Sequence, residues 1–170
     1  MRNSLSHEVS LLREVMIFCL VLAFCGALSY FAHHKIAVSF SPSLRYTLFY
    51  LENRQGDKIW QGEYVLFTVN YPLVHDVMNA LKIKTAIKEA ACVEGDLLVV
   101  SRKDYYCNGV YLGRAKDRSF KGAPVDNFKF NGIVPQGRLF VMGHTIDSLD
   151  SRYFGFIKVN DVARIAHPLF

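Results

Sequence analysis

Hydroxyls, two carboxylates and a guanidinium crowd the run Asp147-Ser148-Leu149-Asp150-Ser151-Arg152-Tyr153-Phe154-Gly155, and two segments upstream carry what that run lacks. Ser41-Pro42-Ser43-Leu44 offers a hydroxyl nucleophile, and Lys88, followed by Gly95-Asp96, offers a base. A serine hydroxyl is a weak nucleophile and needs a base within hydrogen-bond reach. Of the six histidines only His144 stands beside one of these segments, and no Ser-His-Asp order is visible. The other route is a lysine that burial has stripped of its charge, since an apolar setting disfavours the ammonium form. Lys88, flanked by Ala86-Ile87 and Ala90-Ala91-Cys92, suits that role. Two plainer readings stand beside this one: an Asp- and Ser-rich solvated turn at 147–155, and a solvent-facing lysine at 88.

The elements that must position these groups are mostly strands. Gly62-Glu63-Tyr64-Val65-Leu66-Phe67-Thr68-Val69 alternates with period two, and Asp96-Leu97-Leu98-Val99-Val100-Ser101 is a short apolar run. Asn108-Gly109 between Tyr105-Tyr106-Cys107 and Val110-Tyr111-Leu112 predicts a hairpin, and Pro135-Gln136-Gly137 feeds a further strand at Arg138–Met142. The exception is 74–91, where Val77, Ala80 and Leu81 recur at helical spacing and predict a helix over part of the segment. Residues 113–132 lack periodicity and predict a long surface loop. The fold class is mainly β.

Residues 1–14 read as a polar tail, 15–32 as a membrane helix and 36–170 as one catalytic domain. The run Val15 to Ala32 carries no charge, and its eighteen residues reach about 27 Å as a helix, close to the thickness of a bilayer's hydrocarbon core. A retained transmembrane anchor, a removed signal peptide and a buried core helix all fit such a run. The anchor is preferred, because Gly26-Ala27-Leu28-Ser29 makes a poor cleavage site. Charges on both sides of the run leave its orientation undecided.

Cys92 and Cys107 are either two buried thiols or a disulfide, and a disulfide would place the domain in an oxidising compartment. The net charge of +5 is spread among acids and apolar residues with no dense basic arm, which argues against nucleic acid as a partner and leaves room for anionic lipid. Neither cysteines nor histidines show the spacing of a metal site, and no cofactor is implied.

Taken together, Ser41-Pro42-Ser43-Leu44, Lys88 with Gly95-Asp96, and Gly143 through Gly155 resemble, in order and spacing, the successive motif boxes of type I signal peptidases. Gly62–Phe67 resembles the remaining box. The resemblance covers nearly everything after residue 40. Small size, a single N-terminal anchor and the five-residue step from Gly143 to Ser148 resemble most the conjugative-transfer branch, the TraF-type peptidases that process pilin precursors.

The resemblance implies roles. Ser43 is the nucleophile and Lys88 the general base; Ser41 and the backbone N–H of Ser43 form the oxyanion hole. Ser148 orients the lysine, Asp150 and Arg152 form a supporting ion pair, and Leu44 and Leu48 contribute to an apolar surface near the membrane. The implied protein is a single-pass inner-membrane serine endopeptidase facing the periplasm. Its partners are membrane lipid, a pilin or other signal-peptide-bearing precursor, and a conjugation apparatus. Some positions depart from the family pattern. Arg45-Tyr46-Thr47 follow the nucleophile where a proline or glycine is usual, and Glu94 precedes Gly95-Asp96 in place of proline. Glu89 follows Lys88 where arginine is common, and is expected to point away into solvent. His144 has no assigned role. The rivals are a general signal peptidase and a non-catalytic assembly factor with the same fold.

Overall fold

The computed structural model describes residues 2–39, 42–56, 58–69, 84–119 and 122–170. The chain divides into two units, Met1–Ile36 and Ala37–Phe170. The first is a helix, α1 (Arg2–Lys35), which starts well before the apolar run and takes in most of the polar tail. Within it Arg13–Ala32 has a mean hydropathy of 2.4 and is long and apolar enough to cross a membrane. None of this stretch is buried.

The second unit is mainly β. One sheet contains β1 (Ile36–Val38), β2 (Leu48–Asn53), β3 (Tyr64–Thr68), β4 (Thr85–Val93), β9 (Arg138–Met142), β10 (Ile157–Lys158) and β11 (Val162–Pro168), in the order β1-β2-β11-β3-β4-β9-β10. The other contains β5 (Leu97–Ser101), β6 (Asp104–Cys107), β7 (Val110–Arg114) and β8 (Asn131–Ile133), in the order β7-β6-β5-β8. A four-residue helix, α2 (Ser151–Phe154), stands between β9 and β10.

The predicted hairpin is present as β6–β7. Asn108 and Gly109 both take positive φ, 49° and 81°, as a two-residue turn of this kind requires. The helix expected within 74–91 is corrected where it can be read. Residues 84–91 belong to an extended segment, with Lys88 in the middle of β4, and residues 70–83 lie outside the described residues. β4 pairs with β3 on one side and β9 on the other, so its backbone groups find partners across the sheet. Those ladders override the helix propensity of its Ala, Lys and Glu residues.

Three apolar clusters make the core. Val65, Phe67, Ala90, Leu139, Val141 and Ile157 pack in one, and Leu44, Phe49, Leu51, Tyr64 and Ala166 in another. Leu44, expected to contribute to an apolar surface near the membrane, is buried in this second cluster. The third joins the sheets through Cys92, Leu98, Tyr105, Cys107 and Phe140, with Phe128, Phe130 and Phe156 packed against it. Phe128 and Phe130 come from the segment expected to be a surface loop, and they pin its last part to the core. Cys92 in β4 and Cys107 in β6 form a disulfide, with their Cα atoms 5.7 Å apart.

Candidate active site

Ser43 sits in the turn ahead of β2, where burial of the adjacent Leu44 roots the turn in the core. The Ser43 carbonyl accepts a hydrogen bond from the His144 backbone N–H at 2.7 Å, and the far end of the turn is tied down by Thr47 and Leu48 N–H donating to the Phe170 carbonyl. Ser43 and Lys88 are both buried, at 5% and 6% exposure. Lys88 Nζ lies 2.7 Å from Ser43 Oγ and 2.9 Å from Ser148 Oγ. As an ammonium it donates to both oxygens; as a neutral amine it can accept the Ser43 hydroxyl proton across the same 2.7 Å. Burial lowers the Lys88 pKa to about 8, against a smaller upward pull from Asp150 and with a smaller downward push from Arg152. A lysine so placed exchanges its proton close to neutral pH.

The wall behind Lys88 is the run 147–155. Asp150 and Arg152 form a buried two-pronged pair, with Nε donating to Oδ1 at 2.8 Å and Nη2 to Oδ2 at 2.7 Å. Asp150 also accepts from the Gly143 N–H at 2.9 Å, and Arg152 also donates to the carbonyls of Arg114 and Thr145. Burial acts to lower the Arg152 pKa, but the hydrogen bonds and charge of Asp150 more than offset it and hold the guanidinium above its ordinary value. Buried charges persist when paired and fully hydrogen-bonded, as these are. The polar-turn reading of this run therefore fails: Ser148, Asp150, Ser151 and Arg152 are all buried.

Gly143 explains how the wall comes so close to Ser43. A Cβ there would stand 2.2 Å from Ser148 Oγ and 2.7 Å from the Ser43 carbonyl oxygen. Only a residue without a side chain lets the three segments meet.

Of the residues singled out from sequence, Ser43, Lys88 and Ser148 meet directly, and Asp150 and Arg152 stand just behind. Ser41 lies outside the described residues. Glu89 leaves β4 from the face opposite Lys88, is partly exposed, and pairs there with His144 at 3.0 Å. Sequence reasoning passed over Ser151, whose Oγ accepts from the Val141 N–H at 2.9 Å and stitches α2 to β9. It also passed over Tyr105, whose hydroxyl lies 2.7 Å from the Phe128 carbonyl and 2.8 Å from that of Arg152. Tyr105 resembles any strand aromatic in sequence; its place in a hairpin facing the wall was the available signal. Among the described residues, the metal-ligand atoms that gather are those of Cys92, Asp96 and Cys107, and both sulfurs are committed to the disulfide.

A signal peptidase I of Bacillus caldolyticus is 30% identical over 97 residues, which cover 51% of this chain and 53% of that relative, so the chain matches about half of its length. A crystal structure of a signal peptidase I from Enterococcus faecalis V583 is 23% identical, with a TM-score of 0.39, over 64% of this chain and 96% of that one. The family model described as signal peptidase, peptidase S26, matches residues 10–169, nearly the whole chain, and the chain belongs to that family.

Proposed function

We propose that the protein is a membrane-anchored serine endopeptidase that removes the leader of a membrane-delivered precursor, with Ser43 as nucleophile and Lys88 as general base. The observation that carries this reading is the 2.7 Å approach of a buried lysine amine to a buried serine hydroxyl. Lys88 takes the Ser43 proton as Oγ attacks the scissile carbonyl. The resulting oxyanion accepts from the Ser43 N–H and the Ser41 hydroxyl, which lower the barrier by stabilising charge that exists only in the transition state. Collapse of the tetrahedral intermediate breaks the C–N bond, and Lys88 returns the proton to the departing amine. A water, deprotonated by Lys88, then hydrolyses the acyl-serine ester and restores Ser43. Ser148 holds Lys88 on line throughout, while Asp150 and Arg152 brace the wall.

The substrate is an extended segment with small residues before the cut. Of possible precursors we favour a pilin of a conjugation apparatus, on the five-residue step from Gly143 to Ser148 and the compact domain. The Cys92–Cys107 disulfide supports a domain on the periplasmic side of the inner membrane. A general signal peptidase uses the same residues, and the likeness to signal peptidase I favours that second reading equally. Substrate range separates the two. Processing of a pilin precursor and of an unrelated secreted precursor, each by wild type, Ser43→Ala and Lys88→Ala, tests the whole reading. Loss of cleavage in both variants is expected; normal processing by both would refute the Ser43–Lys88 pair, and no cleavage by purified wild type would favour the non-catalytic assembly factor.

A further inference from the structure

Beside the Ser43–Lys88 contact lies a second polar cluster that the mechanism above does not use. In the β3–β4 ladder Tyr64 stands opposite Glu89, and Val65 opposite Lys88. Side chains alternate along a strand, so Tyr64 and Glu89 share one face of the ladder while Lys88 leaves from the other. His144, two residues beyond the end of β9, closes the cluster. Its Nε2 is 2.8 Å from the Tyr64 hydroxyl and 3.0 Å from a Glu89 carboxylate oxygen. Tyr64 remains a neutral hydroxyl, because burial first and the charge of Glu89 second push its pKa up to about 12. The carboxylate can then accept from both the phenol and the imidazole N–H, so that Glu89 gathers the Tyr64 hydroxyl and the His144 ring into one cluster across two adjacent strands.

We propose that His144 is a positioning residue: its imidazole is fastened to Tyr64 and Glu89 on the strands that carry Lys88, while its backbone N–H grips the carbonyl of Ser43. Ser43 is thereby fixed at two points, Oγ against Lys88 and the carbonyl oxygen against His144, both at 2.7 Å. The imidazole anchor fixes where the second point lies. Gly143, immediately before, permits the close approach but has no side chain with which to hold it. Without the imidazole the turn after β9 loses its tie to β4, and an error of about 1 Å in a reacting group costs on the order of 100-fold in rate.

The proposal rests on Ser43 being the nucleophile, and the test separates the two ideas. Cleavage of a synthetic peptide with small residues before the cut is measured with the full-length, detergent-solubilised protein, alongside its melting temperature. His144→Ala is expected to lower kcat roughly 10- to 100-fold with KM and melting temperature little changed. His144→Gln, whose amide can still donate to Glu89, is expected to recover most of that loss. Wild-type kcat in His144→Ala overturns the proposal, as does a fall that glutamine does not relieve. If His144→Ala fails to fold, Tyr64→Phe decides: it keeps the ring and removes the hydroxyl, so a several-fold lower kcat supports the anchor and an unchanged kcat refutes it. Full activity in Ser43→Ala would instead refute the nucleophile assignment.

Discussion

Lys88 Nζ and Ser43 Oγ meet at 2.7 Å although 45 positions separate them in the chain. In the proposed mechanism only the neutral amine can take the serine proton. Cleavage should therefore rise with pH through a group near 8, the value to which burial brings Lys88. Lys88→Arg keeps a cation that does not deprotonate in this range and should be inactive at every pH. A rate profile that is flat from pH 6 to 9 would count against Lys88 as base.

The same burial has a consequence for stability. Lys88 binds its proton less tightly in the folded protein, at about 8, than in the unfolded chain, near its ordinary 10.5. Between those values the unfolded state carries more protons, so raising the pH stabilises the fold. Below about 8 both states are protonated and the buried ammonium is a standing cost. Lys88→Met removes it and should melt higher than wild type at pH 7, by the equivalent of at most about 3 kcal/mol. The gap should narrow steadily from pH 8 to 10.5, and thermal melts across that range measure it.

Ser148 and Gly143 act on one contact from two sides. Ser148→Ala deletes one of the lysine's two hydrogen bonds and should slow processing by about tenfold, the worth of roughly 1.4 kcal/mol, without unfolding the domain. Gly143→Ala forces a methyl to within 2.2 Å of Ser148 Oγ unless the wall moves. Its loss of kcat should be the larger, about 100-fold. Circular dichroism of both variants distinguishes a displaced site from a lost fold.

Asp150→Asn should damage the fold ahead of the chemistry. It leaves the Arg152 guanidinium buried without a counter-charge, for which a cost of about 3–5 kcal/mol is typical. Urea titration of the variant should show a midpoint far below that of wild type.

Reduction of the Cys92–Cys107 bond releases a loop spanning fifteen positions. Loop entropy alone puts the loss at about 3 kcal/mol. Because β4 carries both Cys92 and Lys88, the Cys92→Ala/Cys107→Ala variant should show a lower melting temperature and, at high temperature, an earlier loss of cleavage. Mass mapping without reductant checks the linkage.

Much of the site was legible because its residues announce themselves by type. The serine pair and the run at 147–155 stand out by type, Lys88 is picked from among several lysines by its spacing to those segments in the family resemblance, and the hairpin at Asn108-Gly109 follows from turn chemistry. Residues 84–91 misled because Ala, Lys and Glu favour helices locally, while the partners that make β4 a strand lie about 25 and 50 positions away. His144 and Glu89 were opaque for the same reason. Nothing near either residue indicates that a strand pairing and a turn bring them to 3.0 Å of each other.

The acidity of Lys88 is itself a product of folding. A nascent or unfolded chain holds an ordinary lysine, fully protonated at neutral pH, beside a serine too far away to matter. The wall that lowers that pKa is assembled from β4, β9 and the run at 147–155, so it is completed only once the C-terminal quarter of the domain has been made. In the proposed mechanism, therefore, the chain acquires its base only in the last stage of folding, after the run at 147–155 has closed over β4.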